Sequence, residues 1–267
     1  PDISLNAVAN LGYAEGRFLK PVYPGDTLRS VSEVIGLKQN SNGKTGVVYV
    51  RTRGLNQRDE TVLEYVRWVM VRKRDLEAPA PETVVPELAK AVPASDLVVP
   101  EGLDFTNYDF AQAGEAHRWG DYEVGEQIDH VDGVTIEEAE HMQATRLWQN
   151  TAKVHFDATF RPDGQRLIYG GHEISMARAL SFNGLANVQI IAGINAGAHA
   201  NPCFSGDTVK CWSEVLGKAE TGAPGVGALR LRLVATKGGE PFGLKGEDGK
   251  YLPEVLLDLD YWALVPV

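Results

Sequence analysis

The sequence predicts an α+β protein made of two copies of one antiparallel unit, with helices in the second copy only. Three observations predict it: an ungapped internal repeat, alternating strand-like segments in both copies, and a helical front part that precedes only the second. Residues 12–36, "GYAEGRFLKPVYPGDTLRSVSEVIG", lie over residues 193–217, "GINAGAHANPCFSGDTVKCWSEVLG", at an offset of 181. Ten of the 25 aligned positions are identical, among them Gly12/Gly193, Gly16/Gly197, Pro21/Pro202 and Asp26/Asp207. The offset carries on through Gly46/Gly227 and Arg51/Arg232. A match of that length marks a duplicated unit.

Each copy reads as strands. "GVVYVRTRG" and "GALRLRLVA" alternate apolar and polar residues, the period of a half-buried strand. "TVLEYVRWVMV" and "EVLLDLDYWALV" are later strands of the same kind. "PGDT" and "SGDT" stand at turns, where Gly and Asp suit the backbone. The front of the second copy starts with a short strand. Thr135 then opens a helix, with Glu138 three residues on completing a capping box. That helix stops near Leu147. A longer helix is predicted from about Glu173 to Val188, after "YGG". By the same offset, the matching part of the first copy would lie about 60 residues before Pro1 (Asp121 − 181 = −60), so the first repeat is expected to lack its N-terminal part, including its helix. A curved sheet without that helix leaves apolar surface to be covered.

Residues 1–74 therefore read as the C-terminal part of a first repeat. Residues 75–115 read as an extended connection, because Pro79, Pro81, Pro86, Pro93 and Pro100 exclude helix interiors. Residues 116–267 read as a complete second repeat that holds the active site.

Bulk properties narrow the function. The 267 residues carry a formal charge of −10, which argues against a nucleic-acid surface. Only two cysteines are present, Cys203 and Cys211, too few for a disulfide framework. No apolar run reaches a membrane span and no leader pattern appears, so a cytoplasmic protein without a membrane partner is expected. His117, His130, His141 and His199 show no metal-ligand spacing, and no dinucleotide fingerprint or Gly-x-Ser-x-Gly elbow is found. No metal or cofactor is expected.

The chemistry concentrates in "LWQNTAKVHFDATF", residues 147–160, where Asn150, Lys153, His155 and Asp157 crowd the end of a helix. A spacing of five across a helix end lets Asn150 and His155 turn towards one point. His155 titrates near neutral pH and can act as a base. Asn150 cannot, but its amide can hold a water molecule. Each residue also has a plainer reading. Asn150 suits a helix C-cap, Lys153 a solvated surface, Asp157 a loop cap, and Gly170-Gly171 a turn.

"RLWQNTAKVHFD", followed by "YGGHEIS", resembles the signature of the MaoC-like dehydratases, the double hot-dog (R)-specific enoyl-CoA hydratases. The family's catalytic Asp falls on Asn150, its catalytic His on His155, its closing Asp on Asp157 and its oxyanion Gly on Gly171. The resemblance covers nearly the whole chain and implies a double hot-dog fold. It is narrowest with the branch of the family that handles mesaconyl-CoA, carried by "QNTAKVHFD" and "YGGHEISMARALSFNGL". The implied activity is addition or removal of water at the double bond of a short, branched, dicarboxylic enoyl-CoA, by a homodimer or higher homo-oligomer. On this reading Asn150, His155 and Gly171 are catalytic, and Lys153, Asp157, Gly170 and His172 bind substrate. A carboxylate at position 150 would face the free carboxylate of such a substrate. At ~4 Å and an effective dielectric of ~20 the repulsion is about 4 kcal/mol. Asn removes it, and Lys153 offers a counter-ion. Two other readings stay open: a hot-dog thioesterase, and a non-catalytic acyl-CoA-binding partner subunit.

Overall fold

A computed structural model describes residues 3, 6–150, 152–238 and 242–267. The repeat appears in it as four pairs of matching strands. The first copy supplies β1 (Ala7–Phe18), β2 (Arg29–Gln39), β3 (Thr45–Leu55) and β4 (Thr61–Arg72). The second supplies β5 (Gln127–Thr135), β6 (Ile190–His199), β7 (Thr208–Glu220), β8 (Val226–Thr236) and β9 (Val255–Pro266). All nine join one antiparallel sheet in the order β2-β3-β4-β1-β6-β9-β8-β7-β5. The offset of 181 maps β3 onto β8 residue for residue. It breaks down at β4 and β9, because five residues join β3 to β4 whereas eighteen, 237–254, join β8 to β9.

The repeated residues have repeated jobs. Gly25 and Gly206 have φ of 94° and 93°, a conformation that only glycine adopts freely. One residue on, the carboxylates of Asp26 and Asp207 each accept the N–H of the residue three back, both at 2.9 Å. Gly12 and Gly197 lie at the seam where β1 pairs with β6. A Cβ on Gly12 would meet the Trp68 ring and the Gly197 carbonyl, and one on Gly197 would meet Tyr13 and Leu259. Glycine there lets the two halves join as one sheet.

The helices are α1 (Phe110–Ala113), α2 (Glu138–Leu147), α3 (Lys153–Phe156), α4 (Gly170–Leu180) and α5 (Phe182–Leu185). Two expectations are corrected. Thr135 does not open α2. It ends β5, beside Thr208, and Ile136 is buried in the turn, so Glu137 and Glu140 form the capping box two residues later. The long helix runs 170–180 rather than 173–188. Asn183 (ψ 107°) and Gly184 (φ 90°) break it, and the Asn183 carbonyl is taken by His130 Nδ1 at 2.6 Å. This was invisible locally, because His130 is 53 residues away in sequence.

Helix α4 packs on β5, β7 and β8. Its Ala177 joins Leu229, Leu231, Leu257, Leu259 and Tyr261 in the main core. Alternate residues of β8 and β9 face the other way and are covered by the connection, with Val92 against Ala228, Trp262 and Leu264. The strap is pinned by polar groups. Asn195 Oδ1 accepts the Val92 N–H at 2.8 Å, Trp262 Nε1 donates to the Val92 carbonyl at 3.0 Å, and Asn195 Nδ2 donates to Asp260 at 2.7 Å. From β1 to β4 the first half is strands and turns alone. Among the described residues no helix is long and apolar enough to cross a membrane.

Asn195 is 1% exposed, so its loss strands the buried Val92 N–H, while Asp260 keeps its two bonds from Arg230. Asn195→Ala is expected to lower unfolding free energy by ~1–3 kcal/mol. Denaturant titration should show a lower midpoint with an unchanged slope. An unchanged midpoint would mean that the strap is held without this pin.

Candidate active site

Helix α2 ends because Gln149 turns left-handed, φ 54°, and the Asn150 N–H closes back on the Thr145 carbonyl at 2.8 Å. The left-handed cap is therefore Gln149, and the Asn150 side chain is directed past it. Asn150 Oδ1 accepts the Ala152 N–H at 3.3 Å, a long bond that leaves the amide nitrogen for other partners. The single turn α3 then presents His155. Its Nδ1 donates to the Leu167 carbonyl at 2.7 Å, and Leu167 is itself tied back to the Val154 carbonyl at 3.0 Å. That bond fixes the ring and leaves Nε2 with its lone pair. Burial pushes the His155 imidazole below its ordinary pKa, against the Leu167 carbonyl, and a charge on His199 would depress it further. The side chain is thus set up as a neutral base.

Helix α4 begins at Gly170, so Gly170 and Gly171 form its first turn. The Tyr169 carbonyl accepts from His172 and Glu173 at 3.0 and 3.3 Å. The N–H groups of Gly170 and Gly171 have no acceptor among the described residues, as expected of a helix start. A side chain at either position would have to displace a ring. A Cβ on Gly170 would run into the imidazole of His199, and one on Gly171 into the ring of Tyr169. Below them lie His141, His172 and Tyr169, with ring centroids about 6 Å apart. His141 Nε2 accepts the Tyr169 N–H at 3.1 Å, which requires a neutral ring. Burial, then His155 and His172, pushes its pKa down to about 4.

A cavity of about 670 Å³ opens above this floor. Asn150, His155, Gly170 and Gly171 line it, as the sequence led us to expect. Lys153, Asp157 and His172 do not. Lys153 is exposed. Asp157 caps its own loop, accepting from the Thr159 N–H and hydroxyl at 2.9 and 2.7 Å. His172 is buried, 3.4 Å from Glu140. Among the lining residues that the sequence did not mark as site residues are Tyr13 and Arg67 from the first half, and Arg161, Glu173 and His199 from the second. The site therefore spans both halves. One signal was available for His199. It sits opposite Phe18 in the repeat, where an apolar residue has been replaced by an imidazole.

Known proteins resemble this chain along its whole length. The model of the mesaconyl-CoA hydratase family matches residues 2–241. The chain belongs to that family. A mesaconyl-CoA hydratase of Cereibacter sphaeroides is 79% identical over 267 residues, which are all of this chain and 78% of that one. A β-methylmalyl-CoA dehydratase of Chloroflexus aurantiacus is 62% identical over 272 residues, covering 100% of this chain and 77% of that one. A solved MaoC domain protein from the same organism superposes with a TM-score of 0.95 at 61% identity, over 98% of this chain and 77% of that chain. The fold is the double hot-dog of MaoC-like proteins. This member of the mesaconyl-CoA hydratase family is a hydratase/dehydratase, a carbon–oxygen lyase.

The buried histidines of this site set an acid limit on stability. Unfolded His141 takes up a proton near 6.5, while the folded ring resists until about 4. Protons therefore bind the unfolded chain first, and stability is lost as pH falls through that interval. His141→Gln keeps an acceptor for the Tyr169 N–H and does not titrate. Melting temperature followed from pH 7 to 4 should fall less steeply in this variant. An identical slope would mean that the ring accommodates a proton in the folded state.

Proposed function

We propose that the protein interconverts mesaconyl-C1-CoA and β-methylmalyl-CoA, with His155 as the base that activates water. The observation that carries this reading is the His155 ring, held by the Leu167 carbonyl with Nε2 free, in one cavity with the unpartnered N–H groups of α4. Hydration begins when His155 Nε2 takes a proton from water and the oxygen attacks the β-carbon. The Asn150 amide orients that water. Electrons move into the thioester, and its oxygen gains charge beside the Gly170 and Gly171 N–H groups. One such donor is typically worth ~3 kcal/mol in the transition state, and the helix N-terminus adds a favourable field. Dehydration runs the same steps backwards.

The dicarboxylic substrate is supported by charge. Asn150 removes the like charge that an Asp would set against the substrate's free carboxylate. Lys153, exposed and off the cavity wall, is poorly placed as counter-ion. Arg67 is better placed. It lines the cavity from β4, its Nε is buried without a hydrogen-bond partner, and no ion pair to it occurs among the described residues. Coenzyme A thioesters are thus the partner. A homo-oligomer also fits this reading, since the outermost strand β2 leaves Val31 and Val34 exposed.

Loss of enoyl-thioester absorbance on hydration tests both parts. His155→Ala should reduce hydration by ~10² or more on any substrate. Arg67→Gln should weaken the dicarboxylic substrate and spare a neutral crotonyl thioester, so both must be measured on each variant. Undiminished turnover in His155→Ala would remove the base assignment. Equal losses on both substrates in Arg67→Gln would remove the charge argument.

A further inference from the structure

Asn150 cannot transfer a proton, so one of the two proton-transfer positions of a MaoC-like site is empty. A second pair of titratable groups stands in the same cavity. Glu173 lies one turn into α4, and its side chain is 3% exposed. Its Oε1 has no hydrogen-bond partner, and Oε2 is 3.6 Å from His199 Nδ1. A carboxylate so buried and so poorly satisfied is costly unless it has a task. His199, at the end of β6, is itself well buried, and neither ring nitrogen has a hydrogen-bond partner. The edge of its ring bearing Nε2 and Cε1 lies against Gly170, and this contact is what excludes a Cβ there. His199 Nε2 is therefore beside the helix start at which the thioester oxygen docks, two bonds from the α-carbon. A carboxylate beside imidazole Nδ1, at ion-pair rather than hydrogen-bond distance, with Nε2 packed against the start of α4, supplies the elements of a paired acid–base histidine. The other titratable or charged groups on this cavity wall are Tyr13 from β1, Arg67 from β4, His155 from α3, Tyr169 just before α4, and Cys203 and Arg161 from the adjoining loops.

We propose that His199, held in place by Glu173, is the second proton-transfer group of the reaction and serves the α-carbon while His155 serves the water. This rests on the reading of His155 given above. In hydration, His155 Nε2 takes one proton from water and the hydroxide oxygen bonds to the β-carbon. The π pair of the double bond moves through the thioester enolate to form the α C–H bond with the proton that leaves His199 Nε2. His155 releases its proton to solvent and His199 regains one, so the net change is one water added. In dehydration His199 accepts the α-proton and His155 protonates the leaving hydroxyl. Glu173 touches no reacting atom. It is a positioning residue that orients Nδ1–H and balances the charge on the ring.

The test follows two readouts on the full chain: hydration of the enoyl thioester, and exchange of the α-hydrogen of the hydroxyacyl thioester with D2O by NMR. His199→Gln should lower hydration kcat about 100-fold and slow α-exchange by at least as much, with KM within about threefold of wild type. Glu173→Gln keeps the side-chain volume and should slow α-exchange about tenfold or more, with KM little changed. His199→Ala should recover part of the lost exchange when free imidazole is added. If neither His199 variant folds, Glu173→Gln decides alone. Wild-type α-exchange in a folded His199→Gln or Glu173→Gln overturns the proposal. The two readings fail differently. An active His155→Ala variant removes the base assignment, whereas an inactive His155→Ala beside a fully active His199→Gln removes only the second histidine.

Discussion

Two backbone N–H groups, on Gly170 and Gly171, open helix α4 with nothing to accept them among the described residues. Much of the surrounding structure is arranged so that they stay that way. Tyr169 takes the next two N–H groups of the turn with its carbonyl and packs its ring over Gly171. His199 closes on Gly170 so tightly that a Cβ there would push its ring aside. Below, His141 accepts the Tyr169 N–H and must stay neutral to do so. The cost of leaving donors unpaired is accepted where a ligand oxygen can pair with them.

The same helix start explains why two halves are needed. Its cavity is floored by second-half residues and walled by β1 and β4 of the first half, which contribute Tyr13 and Arg67. Those strands reach the site only because β1 pairs with β6 across the seam. Repeated glycines at Gly12 and Gly197 permit that pairing. The duplication thus joins the sheet, while the departures from duplication, Phe18 against His199 among them, put polar groups on the cavity wall.

What could be read from the sequence follows the range of the forces involved. The strands were legible because alternation is a local signal, and the ungapped offset registered β3 on β8 without error. Helix ends were not, because tertiary partners set them. Burial of Ile136 moved the start of α2, and His130 took the Asn183 carbonyl that would have continued α4. Within the cavity, Asn150, His155, Gly170 and Gly171 could be found because each lies in a short motif. Tyr13 and Arg67 could not, because they reach the site only through sheet topology, and His199 was marked only by its departure from Phe18 in the repeat. Lys153 shows the opposite failure: it lies close to His155 in sequence and off the cavity wall in space.

The account stands on a thioester oxygen docking at the start of α4. A crystal structure of the full chain with a non-hydratable acyl-CoA analogue tests this most directly. The account predicts the thioester oxygen at about 2.7–3.1 Å from the Gly170 or Gly171 nitrogen, with His155 Nε2 facing the β-carbon. A thioester oxygen pointing to solvent, or held by side chains away from α4, would contradict it.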